Sequence, residues 1–306
     1  MIRAMKTSRF PTCLLALACL LRLCPGPLRA DGFDVEKSKT AADAGDADAQ
    51  FLLGRAYFRG LGAPQNYEKA AELFRKSAGQ GNFKAQNNLG LMYIEGKGVK
   101  QDREEGVKWL RQAAAQGHPQ TQDNFGLMLE NGSGIAKSAT EAAAWYRKAA
   151  GQGLALAQFH LGQLLLLGAE GIERDYSEAA QWLAKAADQG NAPAQNSLGV
   201  LYREGRGVPQ DSKKAAGLFQ QAAERGDAKA QANLGSAYYY GGGVERDAIQ
   251  AFVWLKLGAE QKEATASNLL NDLGTELTKE QITKGLRKLA EARVKFPQRP
   301  PAAPVR

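Results

Sequence analysis

A 36-residue internal repeat is the feature that most constrains how this chain folds. Six copies begin at residues 46, 82, 118, 154, 191 and 227, so one spacing is 37 residues and the others are 36. The additional residue is Ala169 or Glu170, in a glycine-flanked loop where an insertion disturbs packing least. Because one repeat of this length cannot bury its own apolar face, the copies are expected to stack into an array.

The first half of each copy has an apolar pattern of helical spacing. In the second copy Ala85, Leu89 and Tyr93 recur at four-residue intervals, which predicts that they share one helix face. Gly90 follows the leucine, at a mid-helix position where glycine costs about 1 kcal/mol relative to alanine. All six copies have this glycine, and we interpret it as a need for close contact with a paired helix. In five copies a Gly-x-Gly turn then ends the helix.

The second half of each copy begins with a residue type that caps helices well. These residues are Asn66, Asp102, Ser138, Asp175, Asp211 and Asp247. Their side-chain oxygens accept from free backbone N–H groups. Glutamate or glutamine follows three residues later in four copies, which predicts capping boxes, whereas Lys69 and Lys214 break that pattern. An apolar stripe follows and predicts the buried face of a second helix. It includes Trp109, Trp145, Trp182 and Trp254.

The combined pattern resembles the Sel1-like repeat, a relative of the tetratricopeptide repeat. Its signature here is Ala-x-Ala-Gln-x-x-Leu-Gly-x-x-Tyr-x-x-Gly-x-Gly-Val, then a capped helix with an Ala-x-x-Trp stripe and a final glycine. The segment from Phe83 to Gly117 fits almost throughout, and Leu129 and Leu165 replace tyrosine in copies three and four. The resemblance implies an all-α fold, a right-handed α-solenoid of about six helix-turn-helix repeats with terminal capping helices.

The same phase predicts the organisation of the chain. Residues 31–45 are expected to form an N-terminal cap, and residues 263–294 are expected to form C-terminal capping helices. Thr278 and Gln281 within the latter have the spacing of a capping box. The repeats are predicted at 46–81, 82–117, 118–153, 154–190, 191–226 and 227–262. Residues 295–306 contain four prolines and are predicted to be a disordered tail.

Residues 1–30 have the organisation of a targeting segment. Basic residues precede an apolar run from Cys13 to Leu21, and Leu28-Arg29-Ala30 supplies a cleavage site. The pattern predicts a signal peptide and export to the periplasm or the exterior, with translation beginning at Met1 or Met5. Two alternatives stay open because the segment is basic and free of acidic residues: an uncleaved signal anchor that tethers the protein to a membrane, and a mitochondrial presequence.

The charge and the cysteines of the chain are unevenly distributed. The net charge is +8, with five basic and no acidic residues in 1–30 and three basic and no acidic residues in 295–306. Residues 31–294 are therefore neutral, which argues against a nucleic-acid partner. All three cysteines lie within the first 24 residues. After cleavage near Ala30 the chain is expected to have no disulfide, no thiol nucleophile and no stable membrane insertion.

No catalytic residue, cofactor or metal site is predicted. The two histidines, His118 and His160, occupy different repeat positions and lack His-x-x-x-His spacing. The chain contains no Ser-x-x-Lys, Lys-Thr-Gly or Gly-x-Ser-x-Gly motif. Some members of the resembling family have been linked to β-lactam binding or hydrolysis, but they have paired cysteines in their repeats. A β-lactamase-type or cell-wall-related hydrolase stays open as the alternative, on the resemblance alone.

The predicted function is a non-catalytic scaffold or adaptor of the bacterial cell envelope that binds a protein or peptide segment. In the resembling tetratricopeptide repeats, first-helix side chains line the concave groove. The position directly before the core Leu or Phe of each first helix lies about 100° from the buried stripe and is predicted to border that groove. The first copy has Leu52 there, and the later copies have Asn88, Asn124, His160, Ser197 and Asn233.

We predict that these five side chains form a polar ladder for a partner, because an asparagine amide both donates and accepts hydrogen bonds. The alternative is that they bond the adjacent repeat and set how the repeats stack. The sequence identifies neither the partner nor the oligomeric state.

Overall fold

A computed structural model describes residues 35–296, which form fifteen α-helices and no strand. The predicted signal segment and residues 297–306 of the predicted tail lie outside the described residues. The helices are α1 Val35–Asp43, α2 Ala47–Arg59, α3 Tyr67–Gly79, α4 Phe83–Glu95, α5 Arg103–Ala115, α6 Pro119–Asn131, α7 Ala139–Gly151, α8 Ala155–Leu167, α9 Tyr176–Asp188, α10 Ala192–Glu204, α11 Ser212–Glu224, α12 Ala228–Tyr240, α13 Ala248–Glu260, α14 Ala264–Glu276 and α15 Lys279–Lys295.

The chain divides into two compact units, one ending at Ala149 and one beginning at Ala150. In the first unit α1 precedes the helix pairs α2–α3, α4–α5 and α6–α7. In the second unit the pairs α8–α9, α10–α11 and α12–α13 precede α14 and α15. Each helix pair corresponds to one sequence repeat, which confirms the predicted all-α solenoid of helix-turn-helix repeats.

The recurrent mid-helix glycine lies where the two helices of a pair approach most closely. A Cβ atom added to Gly90 would lie 2.8 Å from the carbonyl oxygen of Gly106, so the backbones of α4 and α5 touch. At Gly199 the added atom would lie 2.6 Å from the Phe219 ring. The cost of glycine in a helix is therefore offset by tight packing of the pair.

The deepest side chain of each second helix comes one residue after the tryptophan position. These side chains are Phe74, Leu110, Tyr146, Leu183, Phe219 and Leu255, each exposed by 2% or less. Trp145 and Trp254 are also buried, as predicted. Trp109 and Trp182 occupy the same repeat position but are only half-buried, so the position alone does not determine the burial of the indole. The prediction that all four tryptophans lie on the inner stripe is therefore too strong.

The caps of the second helices form as predicted. The second bond of a capping box, in which the side chain three residues later accepts from the N-cap backbone N–H, does not form. Asp102 and Asp175 accept from the backbone N–H three residues later, at 3.0 and 2.8 Å. The complete capping boxes predicted at Asp102 and Asp175 are therefore wrong. Among the helices of residues 35–296 with an assigned N-cap, only the helix that begins after Thr278 has both bonds. Glu178 instead accepts from the Trp182 indole N–H at 3.1 Å. A half-buried indole needs an acceptor, and a carboxylate one turn away is a strong one.

Candidate partner-binding face

The five predicted ladder residues lie on the first helices of their repeats, two in the first unit and three in the second. We call the surface of the first helices within one unit its first-helix face. Asn88 is on α4, Asn124 on α6, His160 on α8, Ser197 on α10 and Asn233 on α12. Four of them are half-buried, whereas Asn124 is only 7% exposed. Asn124 therefore offers little surface to a partner. Its Oδ1 accepts from the Gln120 amide at 3.2 Å, within its own helix.

In the second unit two ladder residues, Asn233 and Ser197, bond neighbouring repeats. The Asn233 amide donates to Asn196 Oδ1 at 2.8 Å, and Asn233 Oδ1 accepts from the Arg203 guanidinium at 2.9 Å. Ser197 Oγ accepts from the Gln163 amide at 3.0 Å. At Asn233 and Ser197 these bonds favour the alternative, in which the side chains set how repeats stack. Both atoms of the Asn233 amide are already used inside the molecule.

Asn88 differs from the other ladder residues. Within residues 35–296 its side chain makes no hydrogen bond, although that side chain is half-buried and reached by solvent. The side chain of its neighbour Asn87, which sequence reasoning missed, is also half-buried and makes no hydrogen bond in the described part of the chain. Two adjacent carboxamides on α4 therefore have unused donors and acceptors. Only the pair of consecutive asparagines in the sequence could have signalled this site.

A second set of amides, also missed by sequence reasoning, joins the repeats in their interior. Each glutamine of the Ala-Gln or Thr-Gln dipeptide donates to the carbonyl oxygen eight residues earlier, at 3.1–3.2 Å. The donors are Gln50, Gln86, Gln122, Gln158, Gln195 and Gln231. All are buried, so each bond replaces one that water would otherwise make to the last turn of the preceding helix.

A further glutamine, at the end of the second helix, completes this contact. Gln116 donates to Gln86 Oε1 at 2.8 Å and to the Gly81 carbonyl oxygen at 2.7 Å. Equivalent amide–amide bonds are made by Gln80, Gln189 and Gln261. We call this arrangement the glutamine joint. Its sequence signal is a glutamine recurring near the end of the second helix with the period of the repeat.

One joint departs from the pattern. Arg225 occupies the position of Gln116, and its guanidinium lies beside Gly190 rather than at the partner glutamine. Gln195 donates to the carbonyl oxygen of Ala187 and to Gln221 Oε1 at 3.0 Å, but its own Oε1 is buried without a partner. A single replacement therefore leaves an unsatisfied acceptor in the interior of the second unit.

The described residues show no geometry suited to a metal site. Within residues 35–296 no group of three or more His, Cys, Asp or Glu side chains lies close enough to hold an ion. The His118 ring stacks on Phe83 with centroids 4.6 Å apart. In the part of the chain that the structure describes, no helix has the length and apolarity of a membrane span.

Two tyrosines, Tyr146 on α7 and Tyr239 near the end of α12, have raised pKa values for structural reasons. Burial, reinforced by the Glu130 carboxylate that accepts its hydroxyl at 2.7 Å, raises the pKa of Tyr146 above its ordinary range. The hydrogen bond to Glu276, followed by burial, raises the pKa of Tyr239 to about 12. Both phenols therefore stay protonated at neutral pH and act as hydrogen-bond donors.

The stacked helix pairs and the first-helix face define an α-solenoid repeat protein. Among known families, the Sel1 repeat matches six times, at residues 47–82, 83–118, 121–154, 155–191, 192–227 and 228–263. These matches cover well over half of the sequence, and the chain belongs to the Sel1 repeat family.

Two solved structures place the chain among Sel1 repeat proteins. One is c5321, a protective antigen of uropathogenic Escherichia coli strains with an SLR fold, which is 32% identical with a TM-score of 0.53. That match covers 86% of this chain and 64% of c5321, so the chain spans less than two thirds of that protein. The other is a Sel1 repeat protein from Oxalobacter formigenes, 32% identical over 74% of this chain and 100% of that chain, with a TM-score of 0.59. No curated protein matches this chain.

Proposed function

We propose that this protein is a non-catalytic scaffold that binds a protein or peptide segment on the first-helix face of its first unit. Sel1 and tetratricopeptide-like repeats generally mediate protein–protein binding. The observation that carries the proposal is the pair Asn87 and Asn88, whose amides are reached by solvent and make no hydrogen bond within the described residues.

The chemistry of this pair suits an extended polypeptide. A carboxamide offers two donors and an acceptor, and a backbone segment presents alternating N–H and C=O groups. Lys84, one turn before Asn88, has its ammonium 5.7 Å from the centre of the half-buried Phe83 ring, so a cation and apolar surface border the amides. In this proposal Asn88 bonds the partner, while Asn233 and Ser197 maintain the shape of the second unit.

The proposal includes a role in the cell envelope. It rests on the basic and apolar pattern of residues 1–30, which lie outside the described residues. Cleavage near Ala30 is the expected outcome, and N-terminal sequencing of the protein from an envelope fraction tests it. Recovery of a chain that begins at Met1 or Met5 in the cytosol would contradict export.

The binding role is tested with Asn88→Ala and the matched variant Asn233→Ala. A photo-cross-linking amino acid at Lys84 identifies the partner, and calorimetry then measures the affinity of each purified variant for it. We expect Asn88→Ala to weaken binding about tenfold with an unchanged melting temperature, because it loses no intramolecular bond. Asn233→Ala is expected to destabilise the fold by about 1–2 kcal/mol, because Asn196 and Arg203 lose a partner.

Two results would count against the proposal. If Asn88→Ala lowers the melting temperature but leaves the affinity unchanged, its role is structural. Turnover of a chromogenic cephalosporin by the purified chain would contradict the non-catalytic assignment and favour the hydrolase alternative.

A further inference from the structure

The last helix of the described chain exposes a line of apolar side chains. Leu286, Ala290 and Val294 follow one another at four-residue intervals on α15, so they lie one turn apart along one side of the helix. Leu286 is 50% exposed and Val294 is 86% exposed, and Ala290 is exposed as well. At a rise of about 1.5 Å per residue the line is about 12 Å long. We call it the α15 ridge.

Another side of α15 packs on α13 and fixes which side chains face outward. Leu289 is buried and belongs to the core around Trp254. A Cβ atom added to Gly285 would lie 2.6 Å from the Phe252 ring, so the two helices approach closely there. The Phe296 ring, directly after the helix, lies 5.7 Å from the Trp254 ring. These contacts fix the rotation of α15 about its axis and leave the ridge in contact with solvent.

Basic residues border the ridge. α15 contains six basic and two acidic residues, which gives the helix a net charge of +4. The side chains of Lys284 and Arg287 are exposed and make no ion pair or hydrogen bond within residues 35–296. The side chains of Lys279 and Lys288 also lack such a partner in the described part of the chain. Several cations beside the ridge are therefore available to an anionic partner.

The acids of this region do not cancel that charge. Glu280 and Glu291 are the two acids of α15, and both are exposed. α13, on which α15 packs, contributes one cation, Lys256, and one anion, Glu260. Glu260 is bound to Arg293 of α15. Since the charges of α13 offset each other, the two packed helices together still have a net charge of +4.

The positive charge after residue 30 is concentrated at this end of the chain. Residues 31–278 contain 27 basic and 30 acidic residues, which is a net charge of −3. Residues 279–306 contain eight basic and two acidic residues, which is a net charge of +6. An anionic surface therefore attracts the C-terminal end and repels the remainder, so the attraction has a direction.

Charge excludes the two occupants that this chain itself could supply. In an isologous pair of copies the same positive charge would be present on both sides of the contact, and like charges repel. Residues 297–306, which lie outside the described residues, carry two arginines and no acid. Their charge therefore does not complement that of the helix.

The size of the ridge favours a lipid surface over a partner protein. A stable protein interface buries about 800 Å² on each side and is built around large anchors such as tryptophan or tyrosine. The ridge has three aliphatic side chains in a single line. An apolar line bordered by cations is what a helix needs to lie in a membrane interface, where the lipids rearrange around it and no matching shape is required.

We propose that α15 docks the protein on the surface of an anionic lipid bilayer, with the helix lying in the plane of the membrane. The α15 ridge enters the boundary between headgroups and acyl chains, and Lys284 and Arg287 pair with lipid phosphates. Their aliphatic stems lie along apolar surface while their charged ends reach the headgroups. Three aliphatic side chains bind a bilayer only weakly, so the cations supply the second signal that docking needs. This site is independent of the proposed first-helix binding.

Docking is measured by co-sedimentation with vesicles of about 30% phosphatidylglycerol in phosphatidylcholine, and with vesicles of phosphatidylcholine alone. The protein is used from Asp31 onward, because residues 1–30 are themselves basic and apolar and lie outside the described residues. We expect the affinity for the anionic vesicles to be about tenfold higher or more, and binding to be lost at about 0.5 M salt.

Two double variants separate the apolar and the electrostatic contributions. Leu286→Gln with Val294→Gln removes the apolar side chains without changing the charge, and we expect it to weaken binding about tenfold. Lys284→Glu with Arg287→Glu reverses two cations and is expected to weaken binding about tenfold or more. All four positions are exposed, and far-UV circular dichroism checks that each variant is folded.

Matched double variants elsewhere in the second unit serve as controls. Leu167→Gln with Tyr240→Gln removes two exposed apolar side chains from α8 and α12. Lys213→Glu with Lys229→Glu reverses two exposed cations on α11 and α12. Both controls are expected to bind the anionic vesicles like the parent, within about twofold.

A fluorescent label reports which surface meets the lipid. The chain from Asp31 onward contains no cysteine, so Val294→Cys provides a single site for a polarity-sensitive dye. We expect its emission to shift to shorter wavelength with the anionic vesicles, and the same dye on Leu167→Cys to shift little. An unshifted emission at position 294 while the protein co-sediments would place another surface on the membrane and contradict the proposal.

Three further results would overturn it. The first is equal binding to the two kinds of vesicle, or binding to neither. The second is parent-like binding by the Leu286 and Val294 variant, which would mean a purely electrostatic attraction that a nucleic acid or an acidic protein could equally satisfy. The third is parent-like binding by the Lys284 and Arg287 variant. The proposed first-helix binding is unaffected by these results, since its residues do not lie on α15.

Discussion

Two glutamine joints of this protein differ in one residue. In the second copy Gln116 bonds Gln86 Oε1, so the buried amide of Gln86 is satisfied at both ends. In the fifth copy Arg225 takes that position, and Gln195 Oε1 is left without a partner in the interior. Both joints connect the same elements in the same order.

The difference shows that the joint depends on the identity of one side chain rather than on the helices around it. Gln116 donates to both Gln86 Oε1 and the Gly81 carbonyl oxygen, whereas the Arg225 guanidinium lies beside Gly190, the glycine that corresponds to Gly81, and leaves Gln195 Oε1 without a donor. An unsatisfied buried acceptor costs about 1–3 kcal/mol. Because a solenoid is stabilised by contacts between adjacent repeats, we expect the fifth copy to be the weaker link.

The largest effect is expected from Gln86→Leu, which destroys the intact joint. It removes one of the two donors of the buried Ala78 carbonyl oxygen, which keeps the Gly81 N–H, and it removes the acceptor of Gln116, so we expect a loss of about 2–4 kcal/mol in urea unfolding. Gln195→Leu is the matched variant, and its loss should be smaller because it also removes the unsatisfied oxygen. Equal losses would mean that the two joints are energetically alike.

Gln116→Arg converts the intact joint into a copy of the defective one. The Gln86 Oε1 and Gly81 carbonyl oxygens lose their donor, and we expect destabilisation by about 1–2 kcal/mol. Thermal unfolding followed by circular dichroism measures it. A variant as stable as the parent would show that arginine satisfies this joint after all.

Arg225→Gln is the reverse change and is expected to stabilise the chain by about 1 kcal/mol, because it gives Gln195 Oε1 a donor. Lys213→Gln, which removes one exposed charge elsewhere, serves as the control for the change in net charge. A midpoint in urea no higher than that of the control would contradict the repair.

A double-mutant cycle measures the smallest of these effects. Gln86→Leu combined with Gln116→Leu should show a coupling of about 0.5–1 kcal/mol, since the two amides bond directly. Gln195→Leu combined with Arg225→Leu should show a coupling close to zero, because these two side chains make no mutual hydrogen bond. A sizeable coupling in the second cycle would place Arg225 in the joint.

The accuracy of the sequence predictions depended on how local each interaction is. Helix caps such as Asp102 and Asp175 involve residues three positions apart, and they form as predicted. The hydrogen-bond donor of Glu178 was predicted wrongly. The Asp175 backbone N–H and the Trp182 indole N–H are both within reach of its carboxylate, and local spacing does not tell which of the two it accepts from. The depth of Trp182 was overestimated for a related reason, since burial depends on what the neighbouring helix covers.

The candidate binding face was only partly predictable. Its position on the first helices followed from the helical period, but whether each residue is available did not. The Asn233 side chain is occupied by two residues of α10, Asn124 is buried, and the Asn88 side chain is unused, although all three occupy the same repeat position. The two residues that occupy Asn233 lie about one repeat away from it in sequence.

The sequence by itself determined the fold class, the number of repeats, their phase and the starts of their second helices. These follow from periodicity and from local bonds between residues three or four positions apart, which every copy repeats. Only the tertiary structure decided which amides are free, that the Arg225 joint is unsatisfied, and that the α15 ridge stays exposed. Those outcomes depend on which side chains from different repeats contact one another, and one replaced residue changes the result.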